Sequence, residues 1–163
     1  MRPTFLSRPV RLIVLGSAAL LSLTTFPAAA QTKEPQTQLW DAAMRGDTVA
    51  LAAALQHGAA IDSLDTRRSP NGRRALNWAA WYNHPEAIRF LIGRGAKVNL
   101  ANVTGFTPLH HAAEQGAVEA ARVLLALGAD RTSQNGLGQR PIDVARDRGH
   151  AAVAALLDSV PPH

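Results

Sequence analysis

The chain has 163 residues and no cysteine. That excludes disulfide bracing, a cysteine nucleophile and the cysteine-linked lipid anchor of a lipoprotein, so stability rests on packing alone. No Gly-x-Ser-x-Gly elbow and no glycine-rich phosphate loop occurs, which leaves the common hydrolase and nucleotide-binding signatures unfilled. The clearest apolar run, residues 12–23 (LIVLGSAALLSL), falls short of the roughly 20 residues that span a bilayer. Aromatic residues are scarce, at 5%. Nor is there a strong charge of one sign once the first thirty residues are set aside. Taking Arg2, Arg8 and Arg11 from 17 basic side chains leaves 14 against 12 acidic ones, a net of +2. The high isoelectric point of the full chain is therefore no nucleic-acid signature.

Those thirty residues have their own logic. Three arginines and no acidic residue precede the apolar run, Pro27 ends it, and Ala28-Ala29-Ala30 stands before Gln31. This is the layout of a cleaved secretory signal. No adjacent arginine pair precedes the run, so the pattern is Sec-type. The expected destination is the periplasm or the medium of a bacterium.

The rest of the chain repeats itself. Leu39, Leu76, Leu109 and Ile142 occupy one equivalent position, and Gly46, Asn83, Gly116 and Gly149 another, seven residues on. Gly58, Gly95 and Gly128 mark a third. The period is 33 residues, stretched by a four-residue insertion between Asp65 and Gly72. Self-similarity on this scale means stacked copies of one supersecondary unit. Physical reasons for the recurrent residues are at hand. Thr107 can cap a helix with Pro108 in its first turn, where a missing N–H costs nothing. Ala112 and Ala113 let two helices approach. Gly116 can take the left-handed conformation that ends a helix. Residues 118–125 carry apolar side chains at helical spacing.

The third unit, from Gly105-Phe106-Thr107-Pro108-Leu109-His110 through Ala112-Ala113 and Gly116 to Gly128-Ala129-Asp130, resembles the ankyrin repeat. The other three units keep the same landmarks in register. The resemblance implies an all-α ankyrin-repeat solenoid of about four helix-turn-helix repeats with hairpin-like connecting turns. The expected organisation is a signal at 1–30, a polar leader at 31–36, repeats at about 37–65, 66–101, 102–134 and 135–158, and a tail at 159–163. The first unit has Pro35 and Trp40 where the motif has glycine and histidine, as an N-terminal capping unit can. The alanine-rich last helix with Asp158 is expected to present a polar outer face, as a terminal repeat requires.

In ankyrin-type folds partners meet the turn tips and the exposed face of each first helix. Carried over by position, the binding residues are Arg45, Arg73, Trp81, Tyr82, Phe106, Glu114, Gln115 and Arg148. Trp81, Tyr82 and Phe106 are expected to face solvent, where tryptophan and tyrosine serve as interface anchors. A competing reading folds Trp81 back over the inserted loop as a lid. Arg67, Arg68, Arg73 and Arg74 surround that loop as a basic patch suited to an acidic segment, or equally to solvent. His110 and Glu114 share a helix face, as metal ligands do. Yet His110 is the histidine that the repeat uses for hydrogen bonding, and no second ligand cluster exists. Asp62 and Asp65 lie in a turn with no apolar pocket to raise a pKa. The sequence thus predicts no catalytic site, no metal and no cofactor. The expected partner is a protein, with no nucleic acid and no membrane after signal removal, and the chain is expected to be a monomer. Resemblance to exported bacterial ankyrin proteins implies an accessory role beside a periplasmic enzyme or in oxidative-stress defence. An inhibitor or immunity-type protein, blocking a toxin or hydrolase through the same face, is the alternative.

Overall fold

The computed structural model describes residues 34–159. The expected signal, most of the expected leader and the end of the tail lie outside the described residues. Eight helices occur among those described: α1 (Pro35–Arg45), α2 (Thr48–Gln56), α3 (Ala75–Trp81), α4 (Pro85–Gly93), α5 (Pro108–Gln115), α6 (Val118–Ala126), α7 (Pro141–Asp147) and α8 (Ala151–Ser159). The all-α expectation holds, with one isolated antiparallel bridge between Asp65 and Arg73 as the only β pairing among the described residues. Helix α1 begins at Pro35, so Pro35 and Gln36 belong to the first repeat and not to a leader.

The helices form two rows. One contains α1, α3, α5 and α7, the other α2, α4, α6 and α8, and each helix packs on its neighbours along its row and on its pair partner. Alanines make this close packing possible. Ala42, Ala43, Ala79, Ala80, Ala112, Ala113 and Ala145 are wholly buried where the paired helices meet. Leu39, Leu76, Leu109 and Ile142 run through the core of the first row, and Leu51, Ile88, Leu91 and Leu124 through that of the second.

The punctuation follows the ruler. Gly46, Gly116 and Gly149 take φ of 71°, 67° and 75°, and Asn83, at the equivalent place in the second unit, takes 56°. Asn83 is the one non-glycine with positive φ among the described residues. Its side chain explains the exception, because Oδ1 reaches the next unit and accepts from the Ala120 N–H at 2.9 Å. That bond satisfies one of the orphan amides at the start of α6. Where glycine stands instead, the next unit supplies a histidine. His84 lies against Gly46 and donates to the Met44 carbonyl at 2.9 Å; His150 lies against Gly116 and donates to the Glu114 carbonyl at 3.1 Å. The residue facing Asn83 in the third unit is the small Ala117.

The later first helices, α3, α5 and α7, begin in one way with different chemistry. The N-cap N–H is accepted by Asn77 Oδ1 at 2.9 Å in α3, His110 Nδ1 at 3.2 Å in α5 and Asp143 Oδ2 at 3.0 Å in α7. Thr107 adds the hydroxyl cap expected of it, accepting from His110 N–H. The turns are joined along the stack as well. Val103 N–H donates to the Asn71 carbonyl, and Gly136 N–H to the Thr104 carbonyl.

The expected polar outer face of α8 needs correction. Ala151, Ala152 and Ala155 are exposed there beside Asp158 and Ser159. That face mixes small methyl groups with a few polar side chains rather than being polar throughout.

Candidate protein-binding face

The predicted binding residues divide into two groups. Arg45 and Gln115 are exposed on α1 and at the end of α5, and neither belongs to a cluster. Arg73, Trp81, Tyr82, Phe106, Glu114 and Arg148 instead surround one surface, where the turns of the second and third units meet α3, α5 and the end of α7.

Arg73 is its centre. The guanidinium lies 4.1 Å from the Trp81 ring centroid and 4.7 Å from that of Trp78. Burial pushes its pKa below the ordinary value, opposed by the nearby Glu114 carboxylate. Its Nε is buried without a hydrogen-bond partner. Trp81 meets His111 edge-on at 5.7 Å. Phe106 lies 5.5 Å from both His110 and His111. Trp81 and Phe106 are therefore half-buried, which corrects the expectation that both stand free in solvent. Arg73, just after the inserted loop, lies over the Trp81 ring. Tyr82 is the exposed aromatic, 45% accessible, stacked on Trp78 at 6.1 Å and His84 at 6.4 Å.

His111 and Glu114 complete the wall. The His111 side chain is 3% accessible, and neither ring nitrogen has a hydrogen-bond partner. Its Nδ1 stands 3.6 Å from Glu114 Oε2, too far for a hydrogen bond. Burial holds the His111 pKa below its ordinary value, opposed by Glu114 and assisted by the neighbouring Arg73 and His110. Arg148 donates to Glu114 Oε1 at 2.7 Å across the unit boundary. The His111 ring, then Arg148 and Arg73, keep the Glu114 carboxyl below its usual range although burial pushes it up. So it is His111 rather than His110 that faces Glu114. The His110 ring points into the stack, accepting from Thr107 N–H and donating through Nε2 to the Gln139 carbonyl at 2.9 Å. Among the described residues no group of three or more His, Asp or Glu is placed to hold a metal ion.

Two arginines of the expected basic patch are tied down. Arg67 is bound to Asp65 through Nε at 2.7 Å and Nη2 at 2.9 Å, and to Asp41 at 3.1 Å. Arg74 donates to the Asp62 and Ala101 carbonyls. These two arginines are structural ties. Sequence reasoning missed the residue that organises them. Asp65 is fully buried, accepting from Arg67 and from Trp78 Nε1 at 3.1 Å. Burial pushes its pKa up, but the Arg67 guanidinium and backbone N–H, with Trp78, hold the carboxyl below its ordinary value. Its position, equivalent to the turn residues Asn102 and Asn135, was the available signal.

Comparison with known proteins agrees with the fold. The family model described as ankyrin repeats (3 copies) matches residues 14–102 and 94–161. The ankyrin repeat domain-containing protein SAT10 of Stachybotrys chartarum is 34% identical over 82 residues, 50% of this chain and 4% of that protein. Inversin-B of Xenopus laevis is 36% identical over 53 residues, 32% of this chain and 5% of its own. The probable E3 ubiquitin-protein ligase XBOS31 of Oryza sativa is 36% identical over 66 residues, 40% of this chain and 14% of its own. The chain thus spans a small fraction of the relatives it matches.

Proposed function

The chain belongs to the ankyrin-repeat family, and from that membership we propose a non-catalytic protein-binding module that works in the periplasm. Ankyrin repeats are protein–protein interaction modules, so the coarse activity follows from the family. The finer reading rests on one observation. Tyr82, Trp81 and Arg73 form an aromatic and cationic surface on the first-helix row beside the turns, with Tyr82 standing free of the core. Such residues are the usual anchors of protein interfaces. Export is supported by the arginine-led apolar run and the Ala28-Ala29-Ala30 site.

The role proposed is that of an accessory factor for a periplasmic enzyme. The engagement of the Glu114 carboxylate by Arg148 supports binding rather than chemistry at this face. Affinity capture from periplasmic extract tests this. Wild-type protein is expected to retain a partner that Trp81→Ala with Tyr82→Ala loses, with little change in melting temperature. Capture undiminished in that double variant would move the binding face elsewhere. Activity of the captured enzyme decides between an accessory factor, which leaves it active, and an inhibitor, which silences it.

A further inference from the structure

Between the turns of the second and third units lies a hollow of about 120 Å³, lined by Ser69, Asn71, Arg73, Phe106, His111 and Glu114 among others. Two of its groups are unfinished. Arg73 Nε and both ring nitrogens of His111 are buried with no hydrogen-bond partner. Buried polar groups are normally paired, and an orphaned one costs about 1–3 kcal/mol. The Asn102 side chain, also in the lining, is already engaged. Asn102 Oδ1 accepts from Thr104 and Phe106, and its Nδ2 donates to the Gly72 carbonyl.

Charge decides what would finish the site. The ionised side chains around it are Arg73, Glu114 and the Arg148 that neutralises Glu114 at 2.7 Å. One positive charge is left over, on a guanidinium backed by the faces of Trp78 and Trp81 rather than by a carboxylate. Stacked aromatic faces orient a guanidinium but accept no N–H hydrogen bond in its plane.

We propose that this hollow receives a carboxylate side chain of the protein partner, with Arg73 and the His111 ring as its donors. The carboxylate would balance the surplus charge and accept the unpaired N–H groups together. The proposal rests on the protein-binding reading above and names the chemistry its partner presents at this point.

The test uses the whole protein and no partner. N-acetyl-glutamate amide and its uncharged isostere, N-acetyl-glutamine amide, are titrated while the ¹H–¹⁵N signals of Arg73 Nε and the His111 ring are followed. The carboxylate is expected to shift both signals saturably and to bind about tenfold or more tightly than the carboxamide. Arg73→Gln should abolish the response. Arg73→Lys, which keeps the charge but not the flat fork, should weaken it, so that loss does not depend on one variant's folding. Equal responses to the two probes, no saturable response, or a response unchanged in Arg73→Gln would overturn the proposal. A silent titration beside partner capture that depends on Trp81 and Tyr82 removes the carboxylate subsite and leaves the face. A carboxylate response beside capture that ignores Trp81 and Tyr82 removes the face and leaves the subsite.

Discussion

Single residues in this chain do work that their neighbours in the sequence do not announce. His110 and His111 are adjacent, yet one ties two units together and the other is buried with unpaired nitrogens. His111 makes a pH prediction. Its folded pKa lies below the ordinary value of 6.5, so the unfolded chain takes up the proton first as pH falls. The stabilising contribution is complete above the ordinary value and declines as pH drops below it. His110, also lowered by burial against the opposing Gln139 carbonyl, acts in the same sense. Urea unfolding at about pH 7.5 and about pH 5.5 should show wild type weaker at the lower pH, and His111→Phe less sensitive. A variant as pH-sensitive as wild type would mean that His111 contributes nothing to the slope. A second prediction concerns the ruler glycines. Gly116→Ala would place a Cβ 2.6 Å from His150 Nδ1 at φ of 67°, whereas the equally left-handed Gly128 meets nothing within 4 Å. Both substitutions strain the backbone, by about 1 kcal/mol; only the first also forces His150 from its bond to Glu114. Gly116→Ala should therefore cost clearly more, and equal thermal shifts would show that His150 yields freely. The glycines, Thr107 and Pro108 were readable in the sequence because each answers a local backbone need. The facing of His111 was not, because it depends on a helix twist and on side chains from two other units.

At the scale of elements, the instructive piece is the inserted turn, residues 65–73. Its extra four residues were visible as a break in the period, and its arginines suggested a basic patch. Two of those four arginines are structural ties, and part of what holds them lies far away in sequence, at Asp41 and Ala101. The buried hub is Asp65, which closes the turn by backbone pairing with Arg73 and holds Arg67 and Trp78 by side-chain bonds. Asp65 thereby fixes the position of Arg73 and, through Trp78, the start of the aromatic surface. Asp65→Asn keeps the shape but removes the charge that Arg67 answers. It should cost about 2–3 kcal/mol, less than a fully buried pair because Arg67 is partly exposed. The contrasting variant is Asp62→Asn. Asp62 Oδ1 meets only the Lys97 N–H, at 3.4 Å, and its loss should cost well under about 1 kcal/mol. Chemical denaturation of both separates the roles, and similar midpoints for the two would deny Asp65 its place as the hub.

For the molecule as a whole, stability is a sum along one dimension, since each unit buries its apolar faces chiefly against the next. This is also why the architecture was legible from so little. Every unit restates the same demand, and four copies in register leave few other ways to cover Leu39, Leu76, Leu109 and Ile142. The ends are where that logic weakens, and there the expectations erred: α1 grew past its supposed start, and α8 turned alanines outward. The same weakness yields a prediction. Leu109 packs between two neighbouring first helices and is 1% accessible, whereas Ile142 has a unit on one side only and is 8% accessible. Leu109→Ala should cost about 3–5 kcal/mol and Ile142→Ala about 2–3. The two should also differ in reach. Among the described helices α8 packs chiefly on α6 and α7, so its amides should exchange with solvent ahead of those in α3 to α6. Ile142→Ala should speed exchange in α7 and α8 and spare the centre, because the end unit can open alone. Leu109→Ala should speed exchange throughout, because no unit beside it keeps both of its neighbours. Uniform acceleration by both substitutions would mean that the four units open as one body, and the additive stack would have to give way to a single indivisible core.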